Sequence, residues 1–363
     1  MRTILVPLDG SALADRAVPF AATIAEKAGW SLLLLRAVNA HDARSEVAAQ
    51  QLRTEAQQAL NTTAEALQAK GLDVVTLVAD GPPEPTILAT VADKEIGLVV
   101  MSTHGRSGLG RFVYGSVTDT ILRHATVPVL TIPPHGIDAW ATAGRVKIMV
   151  PLDGSELSRA ALGPACELAD ALGGSILLAS VVVFPSASMY AEGYVYVDPD
   201  PDQNVLAEAR TELQQLADTL RTEGRPVEVC ASYGSPYFGI TSIARDNDAD
   251  LIVMATHGRG GMTRALLGSV ATAMIRQTEI PIMLVRPPAV EEPHEAAPTT
   301  PGASAATAHA ETAPSTVTLT LTPGELELLK TIVGQRCHAA PIDPPRAGPA
   351  QLLLEKLRAA GPH

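Results

Sequence analysis

Short apolar runs alternate with longer amphipathic stretches along most of this chain, and the alternation comes round twice. In the first round, Thr3–Leu8 is a brief apolar run that breaks into Asp-Gly-Ser, a pattern suited to a buried parallel strand followed by a turn. Ser11 is placed to cap a helix whose apolar positions Leu13, Ala17, Phe20, Ala21 and Ile24 recur at helical spacing. Pro19 falls inside that helix, and Pro164 inside its later counterpart, so a kink or local break is expected in both. Ser31–Val38 reads as a second strand, 45–69 as a long polar helix closing near Gly71, and Val74–Ala79 as a third strand. A helix over Glu84–Asp93, a strand over Leu98–Ser102, a helix over Val117–His124 and a strand over Pro128–Ile132 complete the round. Strands alternating with helices require right-handed crossovers, which give a parallel sheet covered on both faces.

The second round is a repeat in sequence as well as in pattern. ILVPLDGS at 4–11 returns as IMVPLDGS at 148–155, and MSTHGR at 101–106 returns as MATHGR at 254–259. Gly115-Ser116-Val117 returns as Gly268-Ser269-Val270. The first anchors are 144 residues apart and the later ones 153, so the second copy carries nine extra residues, placed around Phe184 to Asp202. Self-similarity of this kind predicts two homologous domains, 1–134 and 146–288, joined by a linker over 135–145. After Pro287-Pro288 the composition changes. Residues 289–316, rich in Pro, Ala, Thr and Glu without an apolar period, read as a disordered linker. Residues 317–363 read as a short helical tail with helices at Pro323–Val333 and Gln351–Ala360, either a docking appendage or a marginal tail.

Composition narrows the function. Over 363 residues, 46% are hydrophobic and 18% charged, as in an ordinary folded domain; at 3% aromatic, the core has to be filled by aliphatic side chains. A formal charge of −12 argues against nucleic acid as the partner, since such a binder normally shows a basic face. No apolar run reaches the ~18 residues that a membrane span needs, and the N-terminal run is too short for a secretory signal. Cys166, Cys230 and Cys337 have no metal-ligand or disulfide spacing and suit a reducing compartment. The expectation is a cytoplasmic protein without a membrane partner.

In a parallel α/β sheet, ligands bind beyond the carboxyl ends of the strands. Asp9 and Asp153 follow the first strand of each copy, and Ser102-Thr103-His104-Gly105-Arg106 follows the fourth, leading to Gly115-Ser116 at a helix start. A helix N-terminus offers amides and partial positive charge to a phosphate, and Arg106 and Arg259 add a charge-assisted contact. Several residues have a plain structural reading as well. Asp9 either holds the Gly10-Ser11 turn or meets a ligand, and Ser116 and Ser269 either cap their helices or donate to phosphate. Met101 and Met254 are explained by core packing alone, His104 and His257 are better structural hydrogen-bonders than catalytic bases, and the polar helix 45–69 reads as a solvated face rather than a site.

Ser102-Thr103-His104-Gly105, nine residues, then Gly115-Ser116, repeated as Ala255-Thr256-His257-Gly258, nine residues, then Gly268-Ser269, resembles the G-x-x-G-x9-G-[S/T] signature of ATP-binding universal stress proteins. The V-P-L-D-G-S of both copies resembles that family's first strand and turn, and the resemblance covers about 1–134 and 146–287 but none of the tail. The departure is that Ser102 and Ala255 stand where the family has its first glycine, so a left-handed backbone there would be strained. The resemblance implies two tandem Rossmann-like domains of the flavodoxin-like or HUP type, each a five-stranded parallel sheet with helices on both faces. It also implies ATP or a related adenine nucleotide as ligand, often with Mg²⁺, and a regulatory role in the stress response. Asp9 and Asp153 would face the adenine with Pro7 and Pro151 shaping the same wall, Ala37 and Val181 would flank the base, and Met101 and Met254 would lie beside the sugar. Gly105, Gly115, Ser116 and Val117, with Gly258, Gly268, Ser269 and Val270, would line the phosphates.

Single-domain relatives pair through their last strand. The resemblance therefore implies an intramolecular pseudo-dimer with edges at Val127–Leu130 and Ile280–Met283, with room for a homodimer of whole chains. The longer second-copy loop, with Tyr190, Tyr194 and Tyr196, would cover its own site or touch the other domain. Two further readings compete: a nucleotide-free interaction module of the same fold, and an ATP-hydrolysing or adenylate-forming enzyme. Against the enzyme, the first turn lacks a Ser-Gly-Gly-rich phosphate loop, the chain has no Walker-type run, and no positioned catalytic base emerges.

Overall fold

A computed structural model describes residues 2–39, 45–103, 115–140, 145–183, 201–257 and 267–287. The expected linker 289–316, the tail 317–363 and the tyrosines of the longer loop lie outside these residues. The first copy runs β1 (Thr3–Pro7), α1 (Ala12–Asp15), α2 (Ala17–Ala28), β2 (Ser31–Val38), α3 (Glu46–Gln68), β3 (Val74–Asp80), α4 (Pro83–Asp93), β4 (Ile96–Ser102), α5 (Ser116–His124) and β5 (Val129–Ile132). The second repeats it as β6 (Lys147–Pro151), α6 (Glu156–Arg159), α7 (Leu162–Leu172), β7 (Ser175–Val182), α8 (Pro201–Thr222), β8 (Val227–Tyr233), α9 (Pro236–Asp246), β9 (Leu251–Ala255), α10 (Ser269–Gln277) and β10 (Ile282–Val285).

The break expected near the inserted prolines is present in both copies. It falls at Arg16 and at Ala160–Ala161, three to four residues before Pro19 and Pro164. A proline ring lacks the N–H that would bond four residues back and clashes with the carbonyl there. The helix therefore restarts so that each proline sits in a first turn, where an amide would have had no helical partner. Ser11 and Ser155 cap the short leading helices by accepting from the amides of Ala14 and Ser158, both at 3.1 Å.

All ten strands lie in one sheet, in the order β3-β2-β1-β4-β5-β10-β9-β6-β7-β8. Pairing is parallel within each copy, and the strand order reverses at β1/β4 and again at β6/β9. The halves meet where β5 pairs antiparallel with β10, through Thr131↔Ile282, Leu130↔Met283 and Val129↔Leu284. Thr131 is buried at this join and donates its hydroxyl to the Ile282 carbonyl at 3.0 Å.

Strand alternation sends Ile4, Val6, Leu32 and Leu34 to one face and Leu5, Leu33, Leu35 and Val99 to the other. The first face is covered by α2, α3, α7 and α8, the second by α4, α5, α9 and α10, and each apolar layer draws on both copies. The segment between copies contributes to the first layer. Trp140 is 3% exposed, meets Phe20 edge to face with ring centroids 5.1 Å apart, and donates its indole N–H to the Asp250 carbonyl at 3.2 Å. Gly136 in the same segment has φ +103°, and a Cβ there would lie 2.3 Å from the Glu279 carbonyl oxygen, so a side chain is excluded twice over. Residues 135–140 thus do more than link: they pin the first copy to the foot of the second.

Candidate functional site

Each copy brings its anchor motifs to the carboxyl ends of strands that flank the reversal of strand order, where crossovers leave to opposite faces and a crevice opens. On the β1 side, Asp9 Oδ1 accepts from the amide and the hydroxyl of Ser11, at 2.9 and 2.6 Å. Asp153 repeats this with Ser155 at 3.0 and 2.6 Å. Both aspartates therefore hold the turn, as the structural reading of Asp9 required, and the turn fixes where each carboxylate stands. Pro7 and Pro151 end their strands half-buried beside them.

In the first copy the turn opens onto a cavity of about 490 Å³, within the range usual for small-molecule pockets. Asp9, Gly10, Arg36 and Ala37 form one wall, and Leu52 and Glu55 belong to another. Two of these features correct the sequence reading. Helix α3 is not simply a solvated face: Ala49, Ala56, Leu60, Ala64 and Leu67 are buried, and Leu52, Glu55, Ala56 and Ala59 line the cavity. Arg36, which sequence reasoning passed over, lies across the turn. Gly10 has φ +78°, and a Cβ there would come within 2.2 Å of Arg36 Nη1. The available signal was a lone cation near the end of the run Leu32-Leu33-Leu34-Leu35. Nearby, burial and the Asp9 carboxylate raise the pKa of Asp15 against the opposing pull of Arg36. The second copy has Ser180 in place of Arg36 and Arg159 in place of Asp15.

On the β4 side, Ser102 and Ala255 end their strands, paired with Ile132 and Val285. Among the described residues the only non-glycine with positive φ is Asp248, so replacing the family's first glycine by serine or alanine costs no backbone strain. Met101 and Met254 are 5% and 7% exposed and belong to the second apolar layer. Gly105, Arg106, Gly258 and Arg259 lie outside the described residues, as does His104. His257 stands beside Thr256, its Nδ1 3.0 Å from that hydroxyl. Burial, then the Arg286 guanidinium, lowers its pKa below the ordinary imidazole value, which keeps it neutral at pH 7.

The helix starts are built alike. The Gly115 amide donates to the Thr103 carbonyl and the Gly268 amide to the Thr256 carbonyl, both at 2.9 Å. The glycine amides are therefore already committed, and the groups left for a ligand are the next ones along, on Ser116 and Val117 and on Ser269 and Val270. Among the described residues neither helix has a side-chain cap. Gly115 has φ −63° and ψ 151°, dihedrals any residue adopts, and among the described residues a Cβ there would meet only the Thr103 carbonyl, at 3.8 Å. Neither the backbone nor the packing described here demands a glycine at that position. Ala37 and Val181 lie near the ends of β2 and β7, on the same rim. Among the described residues no group of three or more His, Cys, Asp or Glu is placed to hold a metal ion, and no helix is long and apolar enough to cross a membrane.

A doubly wound parallel sheet, duplicated in one chain, with a glycine-serine helix start and an aspartate turn beyond the carboxyl ends of its strands in each half, defines a class of tandem α/β protein. The model of the universal stress protein family matches residues 1–133 and 145–286, and the chain belongs to that family. It is 27% identical over 300 residues to a universal stress protein of Mycolicibacterium smegmatis, a match covering 78% of this chain and 97% of that one. Universal stress protein Rv2005c of Mycobacterium tuberculosis is also 27% identical over 300 residues, covering 78% and 96%. Among solved structures, a universal stress protein from Archaeoglobus fulgidus superposes with a TM-score of 0.62 at 20% identity, covering 78% of this chain and 98% of its own.

Proposed function

We propose that this protein binds adenine nucleotide, with ATP as the leading ligand, in one crevice per copy, and that occupancy rather than turnover is its output, as a regulatory factor of the stress response in the cytoplasm. The observation that carries this reading is the pair of glycine-serine helix starts. Two nine-residue helices begin with amides that no described side chain caps, behind glycines whose dihedrals any residue adopts; a Cβ finds room at Gly115 among the described residues, while at Gly268 it would press on the Thr256 carbonyl at 3.0 Å. An anion approaching the main chain supplies a reason for both features. The phosphates lie against Ser116 and Val117 in the first copy and Ser269 and Val270 in the second, with Gly115 and Gly268 keeping the approach open. Gly105, Arg106, Gly258 and Arg259, outside the described residues, are the further phosphate contacts this reading assigns, and Mg²⁺ arrives with the nucleotide. Adenine lies toward Asp9 and Ala37, or Asp153 and Val181, where the turn serine holds each carboxylate in place.

The β5–β10 ladder supports a second element of the reading, that the chain is an intramolecular pseudo-dimer. An exposed last strand is a template for self-association, and here each copy's last strand is paired with the other's. The test of binding is equilibrium dialysis of the nucleotide-stripped full chain against labelled ATP and adenosine. Adenine ligand is expected to saturate at two equivalents per chain. Retention of neither ligand at millimolar concentration would remove the functional reading and leave the fold untouched.

A further inference from the structure

The two crevices differ in charge at the point where the reading above puts the phosphates. In the first copy Glu84, in the first turn of α4, accepts a hydrogen bond from the Ser116 hydroxyl at 3.3 Å, and Asp119 lies in the first turn of α5. The residues at those places in the second copy are Tyr237 and Thr272, and neither α9 nor α10 has an acid in its first turn. Among the described residues Asp119 is compensated: Arg123, one turn along α5, donates to both of its carboxylate oxygens, at 2.8 and 3.0 Å, so Glu84 is the acid that sets the first crevice apart. Arg36 stands on the other face of the sheet: alternation along β2 places it with Leu32 and Leu34, opposite the layer on which α4 and α5 pack. Glu84 therefore occupies the ground a terminal phosphate would take beside Ser116, and engages the hydroxyl such a phosphate would use.

We infer that the two crevices prefer differently charged adenine ligands: the second favours the polyphosphate, and the first holds it more weakly and favours an adenine ligand with fewer phosphates, with Glu84 as the discriminating residue. This rests on the adenine-binding reading above. A carboxylate at hydrogen-bond range of a phosphate costs about tenfold or more in affinity for each added phosphate charge, and the cost deepens as water is excluded. The plain alternative is that Glu84 only complements the α4 dipole, which would leave ligand choice unaffected.

The experiment is photolabelling of the full chain with 8-azido-ATP and with 8-azidoadenosine, followed by peptide mapping, so that a separate half-saturation concentration is read for each copy. It is run in chelator, and again with Mg²⁺, on wild type, Glu84→Gln and Glu84→Ala. In the wild type the ATP probe is expected to label the second copy at a concentration at least tenfold lower than the first, with the adenosine probe showing no such gap. Both substitutions should close the gap by improving the first copy. Equal ATP half-saturation in the two copies, or a gap unmoved by either substitution, would overturn the inference while leaving adenine binding intact. So would a first-copy preference for the ATP probe that appears only with Mg²⁺, since Glu84 would then be recruiting the metal. Labelling of neither copy by either probe would overturn the inference together with the reading beneath it.

Discussion

Trp140→Ala is expected to cost about 4 kcal/mol of unfolding free energy. The ring is 3% exposed and fills the space between Phe20 of α2 and the base of the second copy. Truncation leaves a void where the aromatic pair stood and removes the indole donor from the Asp250 carbonyl. Phe20 is fully buried and belongs to the same apolar layer as Val146, Ile148 and Ala165 of the second copy, so the loss is felt on both sides of the join. The wild-type chain should unfold in urea as one transition. The variant should show either a lower midpoint or two transitions, and Trp140→Phe should restore most of the difference. A cost below 1 kcal/mol would mean that the segment between copies is only a tether. Chemical denaturation followed by circular dichroism reads the result without depending on Trp140 fluorescence.

Gly115→Val combined with Gly268→Ala should abolish adenine-nucleotide binding while the sheet persists, an expected loss of about a hundredfold or more per site. The size follows from losing two charge-assisted contacts to main-chain amides, each worth about 1.5–3 kcal/mol. The copies tolerate the change unequally, which is why the substitutions differ. Among the described residues a Cβ at Gly115 meets only the Thr103 carbonyl at 3.8 Å, ordinary contact, whereas one at Gly268 would lie 3.0 Å from the Thr256 carbonyl, so the backbone must shift by a few tenths of an ångström. Equilibrium dialysis with ATP and adenosine measures binding, and thermal melting checks that the fold is kept. Unchanged binding with an intact melt would move the site elsewhere.

Much of this architecture could be read before any coordinates because its signals are local. Pro19 and Pro164 mark the helix breaks through the missing amide, and Ser11 and Ser155 mark the starts that those breaks leave to be capped. The anchor motifs locate the crevice because parallel sheets bind ligands at one end by construction. What stayed hidden depends on contacts between residues far apart. The pairing of Leu130 with Met283 has no local signature, since an edge strand reads the same whether its partner is water or another edge, and it was expected only through the family resemblance. Trp140 was passed over among the Gly, Ala and Thr of its neighbourhood, although one of only two tryptophans in the chain was a hint of burial. Helix α3 read as solvated because its packed face is built mainly of alanines, which leave little hydrophobic contrast against the polar side. Glu84 carried no mark at all: its interest comes from Ser116, 32 residues on, and from its replacement by Tyr237 in the other copy.

A crystal grown with excess ATP addresses the main claim most directly. The account predicts density for an adenine ligand in both crevices, with the chain's uncapped amides at Ser269 and Val270 touching phosphate oxygens and the base turned toward Asp153 and Val181. Helix starts occupied by the protein's own side chains, or ATP lodged only at some other surface, would contradict it.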